Sequence, residues 1–285
     1  MMDSKLTIPA TDDQYESEVS DDQDVPPPAY RRNSESSTER SLYDEKDEAL
    51  STTQPNFRPV REYGFYHPKL MARGLVITDG GASSETSKVP LYYVEVSEFA
   101  FKKPDVILHK LPPPVETTND LDHLADTGES APVIGVAHFP KFSQQIKAGL
   151  GDPASEGEMT YVEVRNPSKM YHGEYRMSFN GRSYAWKRTH DLAAGVEGSS
   201  LTRKMNRDSF QLLDLSTNEV VAAFLNNKFK SWRKKGKLRI FKNPEGDGIE
   251  TQQLELLVIL SIAAILEKAR RRQNRRRSHY SGGGP

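Results

Sequence analysis

Between residues 74 and 241 the apolar positions fall into short runs separated by turn residues, the pattern of an all-β domain. Eleven runs predict strands, at 74–78, 91–96, 105–110, 133–139, 144–148, 159–165, 174–179, 182–188, 209–215, 219–225 and 237–241. The clearest pair lies in "EYRMSFNGRSYAWKR". There Tyr175, Met177 and Phe179 alternate with Glu174, Arg176 and Ser178, and Asn180-Gly181 precedes Tyr184 and Trp186. Asn-Gly supplies the positive φ angles of a type I′ turn, so this stretch reads as a hairpin. "EVVAAFL" is apolar on both faces and reads as a strand buried on both sides. Three connections, 112–131, 149–158 and 189–207, are long enough to be lids, binding loops or insertions.

A different pattern ends the chain. Eleven of the thirteen residues from 254 to 266 are apolar, the exceptions being Glu255 and Ser261, and Leu and Ala outnumber aromatics, which favours a helix. Such a run either crosses a membrane or is enclosed by protein. Thirteen helical residues reach about 20 Å against roughly 30 Å of hydrocarbon, and Arg270, Arg271, Arg272, Arg275, Arg276 and Arg277 follow at once. The reading is therefore a core helix at about 251–268, with Leu254, Leu257, Val258, Ile262 and Ile265 facing the interior, and no transmembrane span.

Roughly eleven strands followed by one apolar helix resemble the Tubby C-terminal-like fold, and the blocks "YRMSFNGRSYAWKR", "DLSTNEVVAAFLN", "WRKKGKLRIF" and "LELLVILSIAAILEKARRR" resemble those of the fungal Tubby C-terminal-like proteins of unknown function. The resemblance implies a mainly β fold, a closed barrel threaded by its last helix. It also implies a weaker functional expectation, since Tubby proteins bind phosphoinositides through basic side chains on the barrel and related barrels occur in phospholipid scramblases. The expected organisation is an acidic disordered arm at 1–60, the barrel at 61–270, and a basic disordered tail at 271–285.

Charge sharpens this picture at both ends. Residues 1–50 hold 14 Asp/Glu against 5 Lys/Arg with few apolar clusters, too little burial to offset ordering entropy. Residues 228–277 reverse the balance, with 15 Lys/Arg against 5 Asp/Glu, so a net charge of -1 conceals a strong asymmetry. Within the acidic arm "PPPAY" places Pro27, Pro28 and Tyr30 in a PPxY element, which WW domains grip as a polyproline II segment between aromatic walls. The partner class it implies is a WW-domain protein of the HECT ubiquitin ligase type. Ser34 follows Arg31-Arg32, and Ser36 precedes Glu39 at acidophilic spacing; phosphate on either would add negative charge beside the element.

"KFKSWRKKGKLRIF" packs seven basic residues around Trp232, and Lys228, Lys230, Arg233, Lys234, Lys235 and Lys237 are the candidates for an anionic membrane surface or phosphoinositide. The plainer expectation for the same stretch is a solvated hairpin, with Lys234, Lys235 and Gly236 as the turn, Leu238 and Ile240 inward and Trp232 in the barrel wall. "RRRQNRRR" fits a nuclear localisation signal, a nucleic-acid tail or an anionic-lipid contact, and most simply a solvated, dipole-compensating helix end; without stacking aromatics or a nucleic-acid module, sequence-specific nucleic-acid binding is not expected. The chain has no cysteine, and its seven histidines, His67, His109, His123, His138, His172, His190 and His279, show no metal spacing. No G-x-S-x-G or P-loop occurs, and "MMDSKLTIPATDD" lacks the regions of a secretory signal. The expectation is a non-enzymatic binding or adaptor protein without a cofactor, cytoplasmic, nuclear or peripheral at a membrane. Its alternative is a phosphoinositide-binding or scramblase-like lipid-handling module.

Overall fold

The computed structural model describes residues 59–69, 72–80, 89–97, 103–113, 123–141, 143–155, 159–168, 172–190, 208–227, 231–241 and 248–281. Of the two units into which the chain divides, Met1–Thr52 lies wholly outside these residues, and Thr53–Pro285 holds the fold below. Twelve strands are described: β1 (Arg61–Tyr66), β2 (Leu75–Asp79), β3 (Pro90–Val96), β4 (Val106–Lys110), β5 (Val133–His138), β6 (Ile146–Leu150), β7 (Tyr161–Val164), β8 (Glu174–Phe179), β9 (Arg182–Arg188), β10 (Phe210–Asp214), β11 (Val220–Asn226) and β12 (Lys234–Ile240). Two helices join them, α1 (His123–Gly128) and α2 (Gly248–Ser281).

All pairings are antiparallel, and the sheet order is β7-β6-β5-β4-β3-β2-β1-β12-β11-β10-β9-β8. This is an up-and-down meander whose first and last strands pair, Arg61 opposite Ile240 and Tyr63 opposite Leu238. The two remaining edges, β7 and β8, meet through one bridge in which Arg165 and Arg176 exchange backbone bonds of 2.8 and 2.7 Å. The result is a nearly closed twelve-stranded barrel, and closure of this kind leaves little unpaired edge.

The Asn-Gly turn between β8 and β9 has the expected backbone, with φ of 47° at Asn180 and 73° at Gly181. β8 and β9 span the predicted residues, and the register pairs Phe179 with Arg182. β1 is an additional strand beyond the eleven, and β12 begins three residues before the predicted 237. Lys234, Lys235 and Gly236 therefore form strand and not turn. Phe65 opposes Gly236 while Tyr66 opposes Lys234, which makes a bulge at Lys235. The bulge is possible because Gly236 has no side chain: a Cβ there would lie 2.5 Å from the Leu225 carbonyl oxygen and from the Phe224 ring.

α2 fills the barrel. Leu254, Leu257, Val258, Ile262 and Ile265 all join the main core cluster with Phe65, Leu108, Tyr175, Trp186 and Phe224. The two polar interruptions are partnered. Ser261, wholly buried, accepts from Trp186 Nε1 at 2.9 Å and donates to the Val258 carbonyl at 3.1 Å. Glu255, 8% exposed, accepts from Arg61 Nη1 at 2.8 Å and from the Tyr63 hydroxyl.

The helix is 34 residues long, not the expected stretch of 251–268, and residues 271–281 belong to it and not to a disordered tail. The physical reason is that arginine is a good helix former, and the first turn past the apolar run is pinned. Glu267 accepts from Arg270 Nε at 2.7 Å and Arg271 Nε at 2.7 Å, at i,i+3 and i,i+4. At this length the helix is long and apolar enough to cross a membrane by length and composition, so the shortness argued from 254–266 does not hold; 67% of that apolar window is instead buried inside the barrel.

Candidate functional site: a basic pole on the barrel

Because strands alternate in direction, each end of the barrel collects a fixed set of turns. α2 starts at the end where Arg61 reaches Glu255 and leaves at the other, beside the end of β1, the start of β12 and the β3–β4 connection. At that exit Arg271 bonds Asp105 and donates to the Ser97 carbonyl at 2.7 Å. Lys268 Nζ donates to the Gln145 carbonyl at 2.7 Å, and both cations stack on Phe139, at 5.5 Å for Lys268 and 4.9 Å for Arg271. Burial, then the charge of Arg272, lowers the Lys268 ammonium to about 8 although Asp105 opposes them.

The β11–β12 side of the same pole carries the predicted basic cluster. Trp232 is 92% exposed and stands outside the barrel wall, which overturns its expected place there. The reason is position: Trp232 precedes β12 and so falls in the turn above the rim, where no inward face exists. Leu238 and Ile240 do point inward.

The structure divides the candidate basic residues. Lys237 Nζ and Arg239 Nε both bond Glu62 at 2.9 Å, so Lys237 belongs to a wall network. Burial would raise the Glu62 carboxyl, and the hydrogen bonds from Lys237 and Arg239 outweigh it and hold it below its ordinary value. Lys234 lies 5.6 Å over the Tyr66 ring, at the rim. Arg233 and Lys235 share that rim, and burial followed by the charge of Lys235 pushes His67 below the usual imidazole range. Arg233, Lys234 and Lys235 therefore come together beside Trp232 and the emerging helix, while Lys237 points to a different partner.

Lys228 and Lys230, with Pro27, Pro28, Tyr30, Ser34 and Ser36, lie outside the described residues. Among the described residues no group of three or more His, Cys, Asp and Glu is placed to hold a metal. The sequence already allows "KFKSWRKKGKLRIF" and "RRRQNRRR" to meet one anionic surface together; what it does not reveal is that Arg188 and His172 lie at the same pole. Only the up-down alternation of strands carries that information.

The fold and pole thus define a class: a helix-filled, nearly closed antiparallel barrel with one strongly basic end. No family model matches the chain, and no curated protein matches it. Among solved structures it is similar to the X-ray structure of a protein from Arabidopsis thaliana, at 13% identity and a TM-score of 0.35, over 73% of this chain and 94% of that one.

Proposed function

We propose that the chain is a non-enzymatic binding and adaptor protein that docks its barrel on an anionic membrane surface by the basic pole and recruits a WW-domain partner, of the HECT ubiquitin ligase type, through Pro27, Pro28 and Tyr30. The observation that carries the membrane half is Trp232, 92% exposed beside Arg233 and the start of β12. An indole seats well at the headgroup level, where an apolar ring and a polar N–H are both accommodated. Each neighbouring Lys or Arg adds roughly 1 kcal/mol of attraction to an anionic leaflet. A barrel enclosing its last helix is also what the Tubby resemblance implies, which lends support to phosphoinositide headgroups as one anionic target and to scramblase-like lipid handling as the alternative.

The test is co-sedimentation of the full chain with phosphatidylcholine vesicles, with and without phosphatidylserine or a phosphoinositide. Binding should require the anionic lipid, fall with salt, and drop on Trp232→Ala or on Lys234→Glu with Lys235→Glu. Equal binding by these variants would overturn the membrane reading. Loss of WW-domain capture on Tyr30→Ala tests the adaptor half, and capture that ignores Tyr30 would remove it.

A further inference from the structure

Three strands around the rim from β12, a second cluster of cations gathers where α2 passes the β8–β9 edge. Arg272 Nη2 donates to the Tyr175 hydroxyl at 3.1 Å, and the Arg188 guanidinium lies 5.9 Å over the Phe210 ring. Tyr175 and Phe210 pack edge to face at 6.4 Å, so one aromatic pair anchors both guanidinium groups. Each still has a buried donor without a hydrogen-bond partner, Arg188 Nε and Arg272 Nη1. A buried N–H left unpaired forfeits the hydrogen bond it would make to water, and the penalty is larger on a charged group. Two on neighbouring cations ask for an acceptor.

His172 reports the same field. Asn166 Nδ2 donates to its Nδ1 at 3.1 Å, which leaves Nε2 to carry the proton of the neutral ring. Burial, then the charges of Arg272, Arg276, Lys268 and Arg188, push its imidazole below the ordinary value. Glu267, the acidic residue closest along the helix, is already engaged by Arg270 and Arg271.

We infer that Arg188 and Arg272, with His172 and Arg276 at the margin, form a binding pocket for a phosphate-type oxyanion. Guanidinium is suited to this ligand, since its planar fork matches two phosphate oxygens and it stays charged in a partly buried site. The pocket is separate from the Trp232 rim, and its ligand bridges the helix to β9.

The shared chemistry is a phosphate group, free or on a lipid, and the experiment separates the two. The full chain is titrated with inorganic phosphate at fixed ionic strength, with heat, thermal midpoint and the His172 ring resonances as readouts. Vesicles of phosphatidylcholine with phosphatidic acid supply the lipid-borne phosphate. The expected result is saturable binding, a raised midpoint and a raised His172 pKa, with affinity lost about tenfold or more in Arg188→Gln and Arg272→Gln. Arg272→Lys keeps the charge but not the fork, and should lose most of the affinity while melting normally. Binding to the vesicles alone, equally sensitive to Arg188 and Arg272, assigns the pocket to a lipid phosphate. Absence of binding to both probes, or binding unchanged in folded Arg188→Gln and Arg272→Gln, overturns the pocket. Trp232→Ala should leave phosphate binding intact, so failure here and failure of membrane docking are distinguishable.

Discussion

Two tryptophans mark the limit of residue-level reading. Trp186 is wholly buried and Trp232 is 92% exposed, although each sits among basic residues in the sequence. Trp186 lies within the alternation that follows Asn180-Gly181, so its inward face was legible; Trp232 lies in a turn whose ends are set by the pairing of β12 with β1 and β11. Ser261 was visible as an exception in an apolar run, but its partner 75 residues away was not. Ser261→Ala should cost about 1–3 kcal/mol in denaturant unfolding, because Trp186 Nε1 is then buried without an acceptor. Trp186→Phe added to it should recover part of that loss, since both polar partners are then gone. Glu62 gives a pH prediction. Its folded pKa lies below its unfolded one, so its contribution is present above the ordinary carboxylate range and is lost as pH falls through the folded value. Lys237→Met with Arg239→Met should flatten the acid limb of a stability-against-pH curve.

At the level of elements, strands written in local chemistry were legible and those written in long-range pairing were not. The hairpin of β8 and β9 carries its own turn signal, and its bounds agree with expectation to the residue. β1 carries "REYGFY", where Gly64 interrupts the alternation; it is a strand because it pairs with β12, on the far side of the chain. The helix shows the same division. Apolarity marks where burial stops, not where hydrogen bonding stops, and the arginine run continues as helix past the rim. Glu267 is 4% exposed at its side chain and holds both Arg270 and Arg271. Glu267→Gln should therefore fray the exit: amide exchange should quicken from residue 270 onward, with little change at Leu257 to Ile262, and overall stability should fall by about 1–3 kcal/mol. Uniform protection along the helix in that variant would show that the pairs do not pin the exit.

Over the whole molecule, the first and last strands close the barrel on a helix that follows them both. Such a barrel has no self-sufficient interior. Phe65, Leu108, Leu212, Phe224 and Leu238, from five different strands, share one cluster with Leu257, Ile259 and Leu260 of the helix. Burying the ten apolar side chains of 254–266 that reach the interior, eight of them larger than alanine, is worth on the order of 12–24 kcal/mol before entropy, at about 1.5–3 kcal/mol for each larger one. The net stability of a domain is only about 5–15 kcal/mol, so even after a large entropic offset the strands cannot hold this shape around an empty centre. The chain ending at residue 247 should consequently lose its cooperative thermal transition and expose apolar surface, while the full chain melts in one step. The same truncation removes Arg270 to Arg277 from the basic pole, so loss of vesicle binding alone would not separate folding from docking; the melting transition does. A soluble truncation with a single sharp transition would mean that the sheet stands without its plug, and α2 would then have to be reconsidered as a segment free to enter a membrane.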